Sequence, residues 1–84
     1  MTAPTRVRVA AFARIAELAG RENALTLPGE ARVRDAWDAL AQRVPALKAL
    51  ASSTRAAVNG RIADFDDALN DGDEVTFLPP VGGG

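Results

Sequence analysis

The residues with the clearest chemical potential stand at the end of the chain, in the run Pro79-Pro80-Val81-Gly82-Gly83-Gly84. Two prolines stiffen this tail, and three glycines then remove every side chain up to the terminal carboxylate. Residues 81–84 extend about 13 Å at roughly 3.3 Å per residue, which is enough to enter a narrow channel in another protein. A glycine-rich end is also typical of a disordered terminus or a cloning remnant, so the tail alone leaves these interpretations open.

A second group of residues that could do chemistry is acidic and consists of Asp64, Asp66, Asp67, Asp71, Asp73 and Glu74. A calcium-binding EF-hand loop beginning at Asp64 would need an acid or amide at its fifth position and glycine at its sixth. This sequence has Ala68 and Leu69 there, so the spacing favours solvated turn residues over a metal site. A glycosidase pair is disfavoured because a chain this small has little room for a cleft.

Composition excludes several classes of function. The 84 residues carry ten Lys and Arg and eleven Asp and Glu, a net charge of -1, so we expect no nucleic acid or membrane partner. The absence of His and Cys removes imidazole bases, thiol nucleophiles and the usual zinc sites. No apolar stretch is long enough to span a membrane, and we expect a cytoplasmic protein. We expect one domain over 1–84, with 79–84 as an extended functional tail.

Hydrophobic periodicity predicts the elements that must position this tail. Alternation at period two predicts strands, and Asn59-Gly60 predicts a type I′ hairpin turn between two of them. The predicted strands cover residues 6–12, 24–27, 55–58, 61–63 and 74–78.

Helical spacing of apolar residues predicts one main helix over 33–44, with Trp37 on its apolar stripe and Pro45 at its end. Shorter helical turns are predicted over 13–20 and 46–51, and Phe65 and Leu69 are expected to anchor a turn-rich segment, 64–73. The predicted fold class is α+β: a mixed sheet of four to five strands with one main helix packed across it.

Two runs of sequence carry a family resemblance: Ala-Val-Asn-Gly at 57–60 and Leu-Asn-Asp-Gly-Asp-Glu-Val-Thr-Phe-Leu-Pro-Pro-Val-Gly-Gly-Gly at 69–84. They resemble the MoaD/ThiS family of sulfur carriers, and the opening segment 12–20 is similar to the start of that family. The Asp-Gly-Asp-Glu-Val and Pro-Pro-Val-x-Gly-Gly patterns are the specific part. The resemblance covers nearly the whole chain.

The resemblance implies a β-grasp, ubiquitin-like fold in which the first and last strands lie parallel at the centre of the sheet. It also implies that an ATP-dependent activating enzyme adenylates the Gly84 carboxylate, which is then converted to a thiocarboxylate, while Gly82 and Gly83 thread into a partner. The chain itself would bind no cofactor and no metal, since ATP is used by the activating enzyme. It would not be catalytic alone.

The implied partners are the large, catalytic subunit of molybdopterin synthase, the activating enzyme and a sulfur-donor protein. Two small and two large subunits would form a heterotetramer that adds sulfur to cyclic pyranopterin monophosphate. Alternation in the last strand predicts that Leu78 points outward beside the tail, as a partner contact that Pro79, Pro80 and Val81 extend. A lone exposed apolar residue is the alternative for Leu78.

Three positions depart from the family pattern. Ala16 stands where an arginine is usual, Gly82 stands where Thr or Ala is commoner, and Arg32 precedes the main helix in place of a Thr or Ser cap. Asp35 is expected to compensate in part for the missing cap through the helix dipole.

Two other interpretations stay open. The chain could be a related sulfur carrier for thiamine, cysteine or tRNA thiolation, or it could be a ubiquitin-like protein modifier or binding module. As a modifier it would offer one side-chain attachment point for self-linked chains, because Lys48 is its only lysine.

Overall fold

The computed structural model describes residues 3–79. Its elements follow the chain as β1 Thr5–Ala11, α1 Ala13–Ala19, β2 Glu22–Leu27, β3 Ala31–Arg32, α2 Val33–Arg43, a 3-10 helix Pro45–Ser53, β4 Arg55–Val58, β5 Arg61–Ala63, β6 Ala68–Leu69 and β7 Glu74–Leu78. Within the described residues, no helix is long and apolar enough to cross a membrane.

Five strands form the main sheet, in the order β2-β1-β7-β4-β5. The first and last strands of the chain, β1 and β7, pair in parallel, and the other neighbours in this sheet are antiparallel. β7 therefore lies in the interior of the sheet with a partner on each side. This is the β-grasp arrangement that the resemblance implied, and the predicted mixed sheet is confirmed.

The core lies between one face of this sheet and helix α2. Alternate residues of β1 and β7 point into it, and α2 contributes the stripe Val33, Ala36, Trp37, Leu40 and Ala41. The Trp37 and Phe77 rings meet edge to face with centroids 5.0 Å apart, a favoured aromatic geometry. We call this side of the sheet the covered face and the opposite side the open face.

The two ends of helix α2 are determined by neighbouring residues. The helix ends at Arg43, one residue earlier than predicted, because Pro45 begins the 3-10 helix that follows. Arg32 gives no side-chain cap, as expected, but the Asp35 carboxylate accepts a hydrogen bond from the Arg32 backbone N–H at 2.7 Å. Asp35 thus satisfies the amide of the N-cap residue itself, beyond the dipole effect that the sequence predicted, while the Val33 and Arg34 amides donate to the backbone carbonyls of Asp67 and Phe65.

The hairpin between β4 and β5 is confirmed. Asn59 and Gly60 have φ angles of 50° and 83°, the two positive values that a type I′ turn requires.

A small second sheet was not predicted. β3 and β6 pair antiparallel through Ala31 with Leu69 and Arg32 with Ala68, inside a region where the sequence indicated only turns. Leu69 is buried as expected and Phe65 packs against the core. Strands of two residues carry no periodic signal, so only burial of Ala31 and Leu69 in the folded chain defines them.

Candidate functional site

The base of the predicted functional tail lies in the interior of the main sheet. β7 ends at Leu78, and the described chain ends one residue later at the exposed Pro79. The predicted site residues Pro80, Val81, Gly82, Gly83 and Gly84 lie outside the described residues, so their roles stay predictions. The tail starts from a strand that is hydrogen-bonded on both sides and is held by the whole sheet.

Leu78 points to the open face, as the alternation predicted. Val75 and Phe77 are 0% exposed on the covered face, whereas Thr76 and Leu78 are half-buried on the other side. The orientation is therefore confirmed, and the predicted role of Leu78 as a partner contact remains a prediction.

Phe12 lies at the same end of the sheet as Leu78. Ala11 is the parallel partner of Phe77. Phe12 and Leu78, the residues that follow them, are therefore at the same position along the strand direction. The backbone of Phe12 is extended, with φ -131° and ψ 165°. Because Ala11 points to the covered face, the Phe12 side chain is directed to the open face. The ring is 53% exposed. Sequence reasoning placed Phe12 at the end of the first strand and gave it no role.

Ile62 is the second large apolar residue that sequence reasoning missed. It is 70% exposed on β5, opposite Ala57, which in turn lies opposite Thr76 of β7. The signal was present in the sequence: a two-residue turn at Asn59-Gly60 fixes the register, and a core-facing Ala56 then requires Ile62 to face outward.

We call Phe12, Leu78 and Ile62 the docking face. Ile62 lies two strands from β7, which corresponds to about 10 Å, and Phe12 directly follows β1, the strand at the other side of β7. Single exposed apolar residues are ordinary, whereas several of them at one end of a face are typical of a contact surface. This group surrounds the strand from which the predicted tail leaves.

The charges of the open face are distributed unevenly. Arg55 lies opposite Leu78 and is exposed, so a positive charge stands beside the docking face. Further along β1 and β7, away from the tail, Arg8 lies opposite Glu74.

One ion pair marks the end of β1 that lies far from the tail. The Arg6 guanidinium lies 3.3 Å from the Asp71 carboxylate, which also accepts the Arg6 backbone N–H at 2.8 Å. These hydrogen bonds from Arg6, together with its charge, hold the pKa of Asp71 below its ordinary value, and hydrogen bonding to Asp71 raises the pKa of Arg6. Both side chains are more than half exposed to solvent, so this pair adds little to stability.

The acidic group between positions 64 and 74 is engaged in turns and ion pairs. Asp67 accepts the Asp64 backbone N–H, Asp73 accepts the Asn70 backbone N–H and the Asn59 side-chain amide, and Asp66 pairs with Arg34. Among residues 3–79 no group of three or more His, Cys, Asp or Glu side chains could hold a metal ion. These carboxylates therefore shape the chain ahead of β7.

Comparison with known proteins places this geometry in a family. A family model described as "ThiS family" matches residues 9–84. The molybdopterin synthase sulfur carrier subunit of Escherichia coli strain K12 is 40% identical over 81 residues, covering 93% of this chain and 99% of that protein. Small archaeal modifier protein 1 of Haloferax volcanii is 38% identical over 82 residues, covering 87% of this chain and 94% of that protein.

Solved structures of related proteins are also similar to this chain. A crystal structure of the Haloferax volcanii modifier matches with a TM-score of 0.82 and 34% identity, covering 92% of this chain and 99% of that one. A protein-protein complex of subunits 1 and 2 of the molybdopterin-converting factor from Helicobacter pylori contains a chain that matches with a TM-score of 0.68 and 27% identity, covering 95% of this chain and 100% of that one.

Proposed function

This chain belongs to the ThiS family of β-grasp sulfur carriers, and we propose that it carries sulfur on its Gly84 carboxylate for molybdopterin synthesis. The observation that carries the proposal is the position of the docking face: Leu78 ends the strand that leads into a tail ending in glycine, and the exposed Phe12 and Ile62 lie on either side of that strand. A folded body that binds a partner and a thin tail that reaches into it are the two parts such a carrier needs.

The chemistry at Gly84 follows from the properties of a carboxylate. A carboxylate is a poor electrophile until one of its oxygens becomes part of a leaving group. An activating enzyme joins it to the adenylate of ATP with loss of pyrophosphate. Sulfur that a donor supplies at the sulfide level then attacks the acyl carbon, the bond to AMP breaks, and a thiocarboxylate remains. The thiocarboxylate is a soft sulfur nucleophile that the docked body holds at high effective concentration. The chain needs no acid or base of its own, which suits a sequence without His or Cys.

The partner in the proposed sulfur transfer is the large, catalytic subunit of molybdopterin synthase, in a heterotetramer of two small and two large subunits. The Escherichia coli relative and the Helicobacter pylori complex of two converting-factor subunits support this choice. Cyclic pyranopterin monophosphate is the proposed sulfur acceptor, and the cytoplasm is the proposed compartment. Leu78, Pro79, Pro80 and Val81 are proposed to contact the partner, and Phe12 and Ile62 join them because of their exposure.

A second candidate is favoured by one observation, the similarity to an archaeal protein named a modifier. In that case the activated Gly84 carboxylate would form an isopeptide bond with a lysine amine of a target. The exposed Lys48 would be the side-chain acceptor that this chain itself offers. Carriers for thiamine, cysteine or tRNA thiolation use the same activated tail and differ in the sulfur acceptor.

Intact mass spectrometry tests the proposal. The chain is incubated with a purified activating enzyme, ATP and a sulfur donor, and the large subunit with cyclic pyranopterin monophosphate is added afterwards. We expect an oxygen-to-sulfur mass shift that maps to Gly84 and reverts as molybdopterin forms. A shift that persists indicates a different sulfur acceptor, and conjugates through lysine without any sulfur shift indicate the modifier. A variant lacking Gly83 and Gly84 is the matched control and should show no shift.

A further inference from the structure

Ala13 has an unusual backbone conformation at the edge of the docking face. Its φ angle is 53°, and among the described residues only Ala13 and Asn59 combine a side chain with a positive φ. Asn59 sits in a type I′ turn, where asparagine is a preferred residue. Alanine has no side-chain group to favour this conformation, which crowds its Cβ. Its occurrence at Ala13 therefore needs another cause.

The cause lies in the junction that Ala13 makes. β1 ends at Ala11 and α1 begins at Ala13, so a strand becomes a helix across Phe12 alone. The residues on either side are anchored in the core, with Ala11 2% exposed and Ile15 3% exposed. A left-handed residue turns the chain sharply enough to satisfy both anchors, and Phe12 is the side chain that this turn leaves outside.

Phe12 and Ala13 form a ridge between two hollows. The first hollow is lined in part by Ala10, Ala16 and Arg21, where Ala16 is the position at which the family pattern has arginine. The second, of about 150 Å³, is mainly apolar and is lined in part by Ile15, Leu50 and Pro79, at the start of the tail. Phe12 and Ala13 line both hollows. A partner that fills both hollows would contact the Phe12 ring between them, so its fit would depend on the orientation of that ring.

We propose that Ala13 is a positioning residue that holds Phe12 in the orientation in which the docking face meets its partner; this inference rests on the proposed function. Glycine at this position would adopt the same φ without crowding and would also adopt many others. Alanine in a left-handed conformation is held there by the anchors on both sides, so the ridge has one shape before the partner arrives. Binding to a surface that is already ordered loses less conformational entropy.

Two substitutions separate positioning from stability. Ala13→Gly removes the crowding but frees the backbone, whereas Ala13→Asn favours the left-handed region without the freedom of glycine. We expect Ala13→Gly to weaken binding to the purified large subunit of molybdopterin synthase by about fivefold, in keeping with the conformational freedom that glycine adds, without lowering the thermal midpoint. We expect Ala13→Asn to bind within about twofold of the natural chain. A merely structural role would change affinity and thermal stability in the same direction.

NMR relaxation of the Phe12 ring in the free chain gives a readout that needs no partner. Ala13→Gly should increase the motion of the ring, and Ala13→Asn should not. Unchanged ring motion in Ala13→Gly, unchanged affinity, or equal losses of affinity in both variants would each overturn the inference.

Phe12→Ala distinguishes the failure of this inference from a failure of the proposed docking. If Phe12→Ala weakens the complex and Ala13→Gly does not, the docking face stands and the positioning role is wrong. If Phe12→Ala has no effect on affinity, or the natural chain does not bind the large subunit, the proposed docking fails, and the positioning role in that complex fails with it.

Discussion

The two faces of the main sheet use apolar side chains in opposite ways, and consecutive residues of β7 show the contrast. Phe77 is 0% exposed on the covered face, against Trp37 of α2, while Leu78 is half-buried on the open face, at the end of the sheet where the exposed Phe12 lies. Both are large and apolar, and they differ only in the direction set by the strand.

The difference between the faces separates folding from binding. Burial on the covered face stabilises the chain, because side chains removed from water there contribute the main favourable free energy of folding. The apolar groups of the open face leave much of their surface in water, so they add little to that free energy. In the proposed function they become buried in a second event, when the partner covers them.

The largest expected effect comes from the tail that follows β7 in the sequence. Deleting Gly83 and Gly84 leaves the terminal carboxylate on Gly82, about 7 Å short of the proposed reacting position at roughly 3.3 Å per residue. We therefore expect complete loss of sulfur transfer in a reconstituted molybdopterin assay. The thermal midpoint should stay unchanged, because the core is built from residues of 7–77. A large fall in thermal midpoint would show that the tail supports the fold.

Truncation on the covered face should have the next largest effect. Phe77→Ala leaves a cavity against Trp37, and large-to-small changes of this kind cost about 3–5 kcal/mol of unfolding free energy. Chemical denaturation measures this loss. Ile62→Ala, on the open face, is the matched control and should change the unfolding free energy by less than about 0.5 kcal/mol. Similar losses in the two variants would contradict the separation of the faces.

Charge placed on the docking face should break binding more than folding. Leu78→Lys puts an ammonium group in an interface that excludes water, and we expect about thirtyfold weaker binding to the large subunit, equivalent to about 2 kcal/mol. Isothermal calorimetry gives the affinity and thermal denaturation gives the stability.

Ala24→Lys provides the control for this charge, since Ala24 is exposed on the open face at a distance from the tail, opposite Arg8. It should bind as the natural chain does. The docking face would be wrong if the two lysine variants bound equally well, or equally poorly.

The sequence predicted the covered face more completely than the open one, and β7 shows why. Its bounds at Glu74 and Leu78 were predicted correctly, because Asp-Gly precedes the alternating run and Pro-Pro follows it. The start of α2 was also correct, and Pro45 limited its end to within one residue.

The open face was harder to predict because periodicity assigns residues to two sides without saying which side is covered. Phe12 and Ile62 are apolar, and periodicity alone does not distinguish them from core residues; for Ile62 the turn register decides the side only once Ala56 is known to face the core. Only the packing of α2 on one side leaves them in water. The β3–β6 pair and the left-handed Ala13 were missed for a related reason: tertiary contacts, rather than local preference, impose them.

The smallest expected effect concerns the end of β1 that lies far from the docking face, where Arg6 pairs with Asp71. Hydrogen bonds from Arg6 lower the pKa of Asp71 in the folded chain. As the pH falls, Asp71 is therefore protonated in the unfolded chain at a higher pH than in the folded chain. The pair's contribution to stability is therefore present above the ordinary pKa of 3.8 and is lost as the pH falls through the lowered value. Asp71→Asn keeps an oxygen that can accept the Arg6 backbone N–H and removes the charge.

Thermal midpoints of the natural chain and Asp71→Asn, measured from neutral pH down to about pH 2, should differ slightly at neutral pH and converge in acid. Added salt should reduce the difference, because both charges lie in solvent. Binding to the large subunit should not change, since this pair lies at the far end of β1 from the docking face. A difference in midpoint that is constant across pH would show that Asp71 acts through its backbone hydrogen bond alone. A loss of binding would instead extend the contact surface over the whole open face, beyond its apolar end.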